Sequence, residues 1–468
     1  MLWFFFCVGL LILGYFTYGK FVEHVFGASD ERKTPVHTMA DGVDYVKMSN
    51  WKVYLIQILN IAGLGPVFGP IMGALYGPVA MLWIVIGSIV AGAVHDYFSG
   101  MLSVRANGAS VPTVVGVQLG NWAKHFMNIF ALVLLVLVGV VFTTGPAGLL
   151  KTITGMEAWI WVIIIFAYYF IATLFSIHKI IGRVYPIFGA LLIFMSVGLT
   201  IGYLVSGREF YSVGLDFFTN YHPKELPIWP LIFVTISCGA LSGFHATQSP
   251  LMARCIADEK SGRMIFYGAM IGEGIIALIW CTLGLSFYNG PEALAAAQAT
   301  GPATVVHEIS KTLLGPIGGV VAILGVVILP ITSGDTAFRA ARLIVAEFFK
   351  MPQREIAKRL LIAVPMFAIG IGLSQINFDI IWRYFNWANQ STATIMLWAA
   401  SAYLYRRGKF YWITLIPALF MTSVVTTFII NAKIGLNMNM TIATTAGIIG
   451  TIVCLLLFFR LKKINDGQ

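Results

Sequence analysis

Apolar runs near the length of a bilayer span constrain this chain more than any other feature. About 20 residues of helix cross the hydrocarbon core. Such runs recur between short polar breaks, at about 2–20, 53–76, 78–102, 124–146, 158–178, 185–206, 229–250, 263–288, 316–333, 355–373, 379–404, 410–431 and 441–461. None alternates apolar and polar residues over the roughly ten positions of a membrane strand, so a β-barrel is excluded. Only 11% of residues are charged and the mean hydropathy is +0.84, whereas soluble domains carry about 25% charged residues. The pattern predicts an all-α integral membrane protein with about thirteen transmembrane helices.

The net charge of +10 would suggest nucleic acid as the partner of a soluble chain. Here Lys and Arg are expected to gather in cytoplasmic loops, so the partner is the lipid bilayer and no nucleic acid is expected. With the N-terminus outside, the outer connections hold only Lys151, Arg208, Lys224, Lys311, Arg383 and Lys433, and the other 24 of the 30 basic residues lie inside. A miscounted span would mix the two sets, so the split predicts N-terminus out and C-terminus in. Residues Leu2–Tyr18 follow no basic segment and precede no small-residue cleavage site, so this run is expected to remain as a span. The cysteines, Cys7, Cys238, Cys255, Cys281 and Cys454, show no metal spacing and read as small packing residues.

Two runs are interrupted. The second holds two prolines and three glycines between residues 63 and 70, including Gly63, Gly65 and Gly69. The seventh carries glycines, hydroxyls and a histidine across Ile236–Leu251. Breaks of this kind free backbone groups that protein, water or ligand must satisfy. Runs 2–6 and 7–11 form two blocks of five, and an odd number per block inverts the second block relative to the first. Each block opens on its broken helix, the pattern of an inverted-repeat secondary transporter whose site lies where the breaks meet. The resulting units are 1–50, a peripheral first helix and cytoplasmic loop; 51–206 and 207–405, the repeats; and 406–468, two peripheral helices.

Ionisable residues within the runs are the sharpest functional candidates. Glu273 lies eleven residues into its run, about 16 Å deep, either as a paired structural carboxylate or as a proton or cation relay. Asp96, after His95, closes the third run, and Asp335 closes the ninth. Both are expected near the cytoplasmic mouth, as solvated caps or as gate residues. His245, Ser242, Thr247 and Gln248 in the second break, and Asn60 before the first, are candidate substrate contacts. The hydroxyls of Thr332 and Ser333 are placed either to bond back to the preceding turn or to join carbonyls of the first break in an oxygen cage for a hard cation such as Na⁺. Half-helices are expected after about Gly69 and Gly243, and their N-terminal N–H groups suit a carboxylate. The loop with His37, Asp41 and Asp44 is either a metal clip or a capped turn. No Walker loop, HExxH or GxSxG is present, so ATP-driven transport and these enzyme classes are not expected.

Several segments resemble the carbon starvation protein A family: Asp30, Arg32, Thr34 and Pro35; Asp41–Tyr45; Ile61–Pro70; Gly92–Phe98; and Cys238–His245. The resemblance implies a leucine-transporter-like 5+5 inverted repeat and uptake of peptides or pyruvate. It also maps a sodium site onto the carbonyls of Leu59, Ala62 and Leu329 with the hydroxyls of Thr332 and Ser333. Many members are longer at the C-terminus, and several carry a His pair where this chain has Ile56 and Gln57. The function expected is an ion-coupled symporter, driven by Na⁺ or H⁺ and without a cofactor, that imports a peptide or a small carboxylate such as pyruvate across a cytoplasmic membrane. A membrane sensor or scaffold, or a channel, is the competing class.

Overall fold

The computed structural model describes residues 1–42, 44–174, 177–214, 217–353 and 355–461. In chain order the helices are α1 Leu2–Phe16, α2 Tyr18–Phe26, α3 Pro35–Thr38, α4 Asn50–Ile61, α5 Gly65–Gly73, α6 Val79–Gly87 and α7 Ala93–Arg105. They continue as α8 Val111–Leu119, α9 Asn121–Thr154, α10 Ala158–Leu174, α11 Ile177–Val205, α12 Ile228–Thr235, α13 Gly243–Ala253 and α14 Gly268–Phe287. The last are α15 Pro291–Ala297, α16 Pro302–Phe348, α17 Ile356–Leu373, α18 Phe378–Arg406, α19 Trp412–Asn431 and α20 Met440–Phe458. There is no strand among the described residues. Arg354, Lys462 and Lys463, which belong to the inner set of charges, lie outside them.

Among the described residues helix covers most of each apolar run, and the second and seventh are interrupted. Among the described residues nine helical stretches are long and apolar enough to cross a membrane, or ten if the bent α4–α5 pair is one span. The chain is therefore a multi-pass membrane protein. α18 is 29 residues long but buries Asn386, Asn389, Gln390, Ser391, Thr392 and Thr394, so it is polar where it faces the bundle. The ninth run is longer than expected. α16 spans 47 residues, turning at Gly315 with φ 70°, and Asp335 therefore lies well inside a helix and not at its end.

The broken segments organise the interior. α4 and α5 bend by 49° across Ala62–Leu64. The second half-helix begins at Gly65, not after Gly69, because Pro66 stands in its first turn, where a missing N–H costs nothing. α12 and α13 are separated by residues 236–242, and α13 starts at Gly243 as expected. A Cβ on Gly65 would lie 2.2 Å from Cys238 Cβ, and one on Gly69 would lie 3.1 Å from the Thr235 carbonyl oxygen. Glycine thus lets one break press directly on the other. Around them, α16 runs along α9, and α18 packs on α9, α13 and α19.

Candidate functional site

Three helices bring the ionisable residues together at the junction of the breaks. Asp96 of α7 accepts from His95 Nδ1 through one oxygen and from His245 Nδ1 through the other, both at 2.8 Å. The far nitrogen of His245, Nε2, faces a carboxylate oxygen of Glu273 on α14 at 3.2 Å. His95, Asp96, His245 and Glu273 all have 0% exposure. Asp96 is thus neither solvated nor at a mouth, as its place near the end of a run suggested. It is sealed inside because α13 packs along α7. A lone charge at mid-membrane costs at least roughly 2.5–3.5 kcal/mol, and the shared histidine offsets this for both carboxylates. One proton suffices to link His245 Nε2 with Glu273, carried by either partner.

Amides of α18 satisfy the second break. Asn389 Oδ1 accepts from the Phe244 N–H at 2.7 Å and from the Ser242 hydroxyl at 3.2 Å. Gln390 Nε2 donates to the carbonyls of Phe233 and Leu241 at 3.1 and 3.0 Å. The Ser237 hydroxyl donates to Asn386 Oδ1 at 2.6 Å. From the other side, Trp83 Nε1 donates to Ile236 O at 3.2 Å and Ser88 to Gly239 O at 2.8 Å. The N-terminus of α13, expected to be open to a carboxylate, is therefore held by a neutral amide oxygen. Sequence reasoning missed Asn386, Asn389 and Gln390. Their signal was three amide side chains at i, i+3 and i+4 in an apolar run, one face of a helix.

The other candidates are distributed as follows. Asn60 is buried at the end of α4. Gly63 and Gly65 are in close contact with Phe142 and Cys238, so with Gly69 they serve the approach of helices. Thr247 bonds back to the Phe244 carbonyl, and Gln248 Nε2 donates to the Thr247 hydroxyl at 3.1 Å. Thr247 also lines a cavity of about 490 Å³ bordered by Ser110, Arg254, Glu347 and Lys350. Asp335 is not part of the His245 cluster and pairs with Arg339 at 3.6 Å. In the mapped cation set, the Ser333 hydroxyl donates across to the Leu59 carbonyl at 3.2 Å, whereas Thr332 bonds back to Leu329 at 2.8 Å. Ala62 is the residue at which α4 ends. In the polar loop, Asp41 accepts from the N–H groups of Asp44 and Tyr45, and His37 Nε2 lies 3.0 Å from the Ala257 carbonyl oxygen. These side chains are engaged as in a capped turn.

A sealed ionisable cluster beside two abutting broken helices, in a multi-pass helical bundle, belongs to the class of membrane transporters. The chain is a member of the carbon starvation protein CstA family, whose profile matches residues 1–203, 145–292 and 285–428. It is 53% identical to an uncharacterized membrane protein of Haemophilus influenzae, over 64% of this chain and 95% of that one. It is 27% identical to the peptide transporter CstA of Bacillus subtilis, over 83% of this chain and 82% of that one. It is also 26% identical to the pyruvate/proton symporter BtsT of Escherichia coli, over 58% of this chain and 47% of that one. The fold is similar to a manganese transporter of Eremococcus coleocola, with a TM-score of 0.56 at 10% identity over 90% of this chain and 98% of that one. The chain is a transporter of a small molecule, not an enzyme.

Proposed function

We propose that this chain is a secondary active transporter that brings a small carboxylated nutrient, a peptide or pyruvate, inward across the cytoplasmic membrane of a prokaryote. The observation that supports it most is the meeting of the two breaks beside the sealed Asp96–His245–Glu273 cluster. Alternating access needs such an occluded centre near mid-membrane. In this reading the chain crosses thirteen times, with the N-terminus outside and the C-terminus inside, and runs 2–6 and 7–11 are the inverted halves of a 5+5 repeat. The cavity beneath Thr247 is the inner vestibule. His245 lies two residues before Thr247 on α13.

The substrate carboxylate takes the place of the Asn389 amide oxygen, accepting from the Phe244 N–H and the Ser242 hydroxyl. Peptides and pyruvate share this group, as the names of the B. subtilis and E. coli relatives require. The Ser333–Leu59 contact supports Na⁺ as the driving ion, held by Leu59, Ala62, Leu329, Thr332 and Ser333. The buried Glu273 and Asp96 support H⁺, with Asp335 on the path to the inner face. Uptake into proteoliposomes with imposed Na⁺ or H⁺ gradients, peptide against pyruvate, tests the whole reading. No gradient-driven uptake of either substrate refutes it. In the same preparation, carboxylated ligands should protect a Ser242→Cys variant from thiol labelling and amidated analogues should not. Equal protection removes the carboxylate site.

A further inference from the structure

The Asp96–His245–Glu273 cluster has a fourth neighbour that transport as described above does not use. Cys238 lies in the loop between α12 and α13, with 1% exposure. One ligand atom each from Cys238, His245 and Glu273 falls within 4.8 Å of the other two. Tetrahedral Zn²⁺ with bonds of about 2.0–2.3 Å needs its ligands roughly 3.3–3.8 Å apart, which small side-chain rotations supply. Neither His245 Nε2 nor either Glu273 oxygen makes an aligned hydrogen bond, although all are sealed from solvent. Their mutual contact at 3.2 Å leaves both loosely held for buried polar atoms, which are rarely left so.

The surroundings of the three residues match those of metal ligands. Asp96 accepts from His245 Nδ1 at 2.8 Å, which fixes the ring and turns Nε2 towards Glu273. This carboxylate–histidine pairing typically stands behind a ligating imidazole. Asn389 Nδ2 points a donor at Cys238 Sγ from 3.6 Å, and the Ser242 hydroxyl lies 3.4 Å from the same sulfur. The Asn389 donor favours a thiolate; the Ser242 proton goes to Asn389 Oδ1. A divalent ion would be neutralised by one thiolate and one carboxylate, while Asp96 stays outside the ligand set as the acceptor of both histidines. The sulfur ligand selects against Na⁺, Mg²⁺, Ca²⁺ and Mn²⁺ and favours a softer ion.

The geometry points to a site for one borderline-soft divalent transition-metal ion, Zn²⁺ or its analogues Co²⁺ and Cd²⁺, held by Cys238, His245 and Glu273. On binding, the thiol proton leaves to solvent and the sulfur–metal bond forms, with no change of oxidation state. The ion ties the second break to α14 and stabilises the occluded arrangement over any in which α13 and α14 part. Because the ligands are sealed, entry requires that parting, and loading is slow.

Binding does not depend on the transport reading and is tested separately from uptake. Purified full-length protein is incubated with one equivalent of Co²⁺, and the thiolate-to-cobalt charge-transfer band is recorded. The band should appear in the parent protein and vanish in Cys238→Ser. Asp96→Asn should keep the band but weaken affinity about 10–100-fold, the effect of removing a partner behind a ligand. Zn²⁺ absorption spectra should show one sulfur neighbour at about 2.3 Å. No band in the parent, or an undiminished band in Cys238→Ser, overturns the site. Melting curves of both variants without metal identify a loss caused by misfolding, and His245→Gln then serves as the second ligand variant. Where Zn²⁺ binds and uptake is measurable, Zn²⁺ should inhibit it. Binding without measurable uptake leaves the site intact and counts against the transport reading alone.

Discussion

Replacing Asn389 by alanine removes the acceptor that holds the start of α13. Its Oδ1 takes the Phe244 N–H at 2.7 Å and the Ser242 hydroxyl at 3.2 Å, and Asn389 has 0% exposure, so water does not replace it. The two donors differ in what they lose. The Ser242 hydroxyl can rotate towards Cys238 Sγ, 3.4 Å away. The Phe244 N–H is fixed by the backbone and is stranded. A stranded buried donor costs roughly 1–3 kcal/mol, and the lost side-chain volume adds about 1 kcal/mol. Asn389→Ala should therefore destabilise the protein by about 2–4 kcal/mol. Asn386 supplies the control. Among the described residues it accepts from the rotatable Ser237 hydroxyl, so Asn386→Ala loses the same volume but strands no fixed donor and should cost about 1–2 kcal/mol. Reversible unfolding in mixed micelles gives both values. Equal losses in the two variants would refute the argument that the amide caps the half-helix.

The other expectations concern separate parts of the molecule. Asp96→Ala deprives two buried histidines of their shared acceptor and should cost about 3–5 kcal/mol, the loss on breaking a buried ion pair, read as reduced monodisperse yield and a lowered melting midpoint. Gly243→Ala places a Cβ 2.3 Å from the Asn389 carbonyl oxygen and 2.5 Å from the Ala393 nitrogen. Backbone cannot yield as a side-chain tip does, so at least about 1–3 kcal/mol should be lost in the same unfolding measurement. Removing both hydroxyls in a Thr332→Ala, Ser333→Ala double variant should abolish any Na⁺-dependent rise in melting midpoint; an unchanged response places the sodium site elsewhere. Tags on the two termini should be accessible from opposite faces of the membrane, and a same-side result would sink the thirteen-span topology.

The helices were legible because burying backbone in hydrocarbon forces helix and leaves long apolar runs. Both breaks were legible as well, since Gly63–Pro70 and Gly239–Gly243 hold glycine where no side chain fits. The half-helix of the first break starts at Gly65, ahead of the expected start after Gly69, because Pro66 opens the helix and is not part of the break. Asp96 and Asp335 were misplaced for a shared reason. Position along a run gives depth only if the run ends at the membrane surface, and α7 and α16 continue to Arg105 and Phe348. Glu273 is buried within α14, but its pairing with His245 and Asp96 joins segments 28 and 177 residues away in sequence, and no local pattern encodes that. Asn386, Asn389 and Gln390 were readable as a polar face, but not as a clamp, because their partners are backbone atoms that appear in the sequence only as a gap in a helix.

That clamp bears on how the protein is made. The amides of α18 that satisfy the second break stand 145 to 157 residues downstream of the groups they bond. At a synthesis rate of about 5–20 residues per second, the break leaves the ribosome roughly 7–30 s before its partners. During that interval the Phe233 and Leu241 carbonyls and the Phe244 N–H have no partner from α18 and cannot rest bare in lipid. The α12–α13 hairpin must therefore wait in a wet or chaperoned setting and enter the bilayer core only as α18 arrives. Nascent chains truncated between residues 260 and 375 should then show the break open to water-soluble thiol reagents, and chains extended past Arg406 should not.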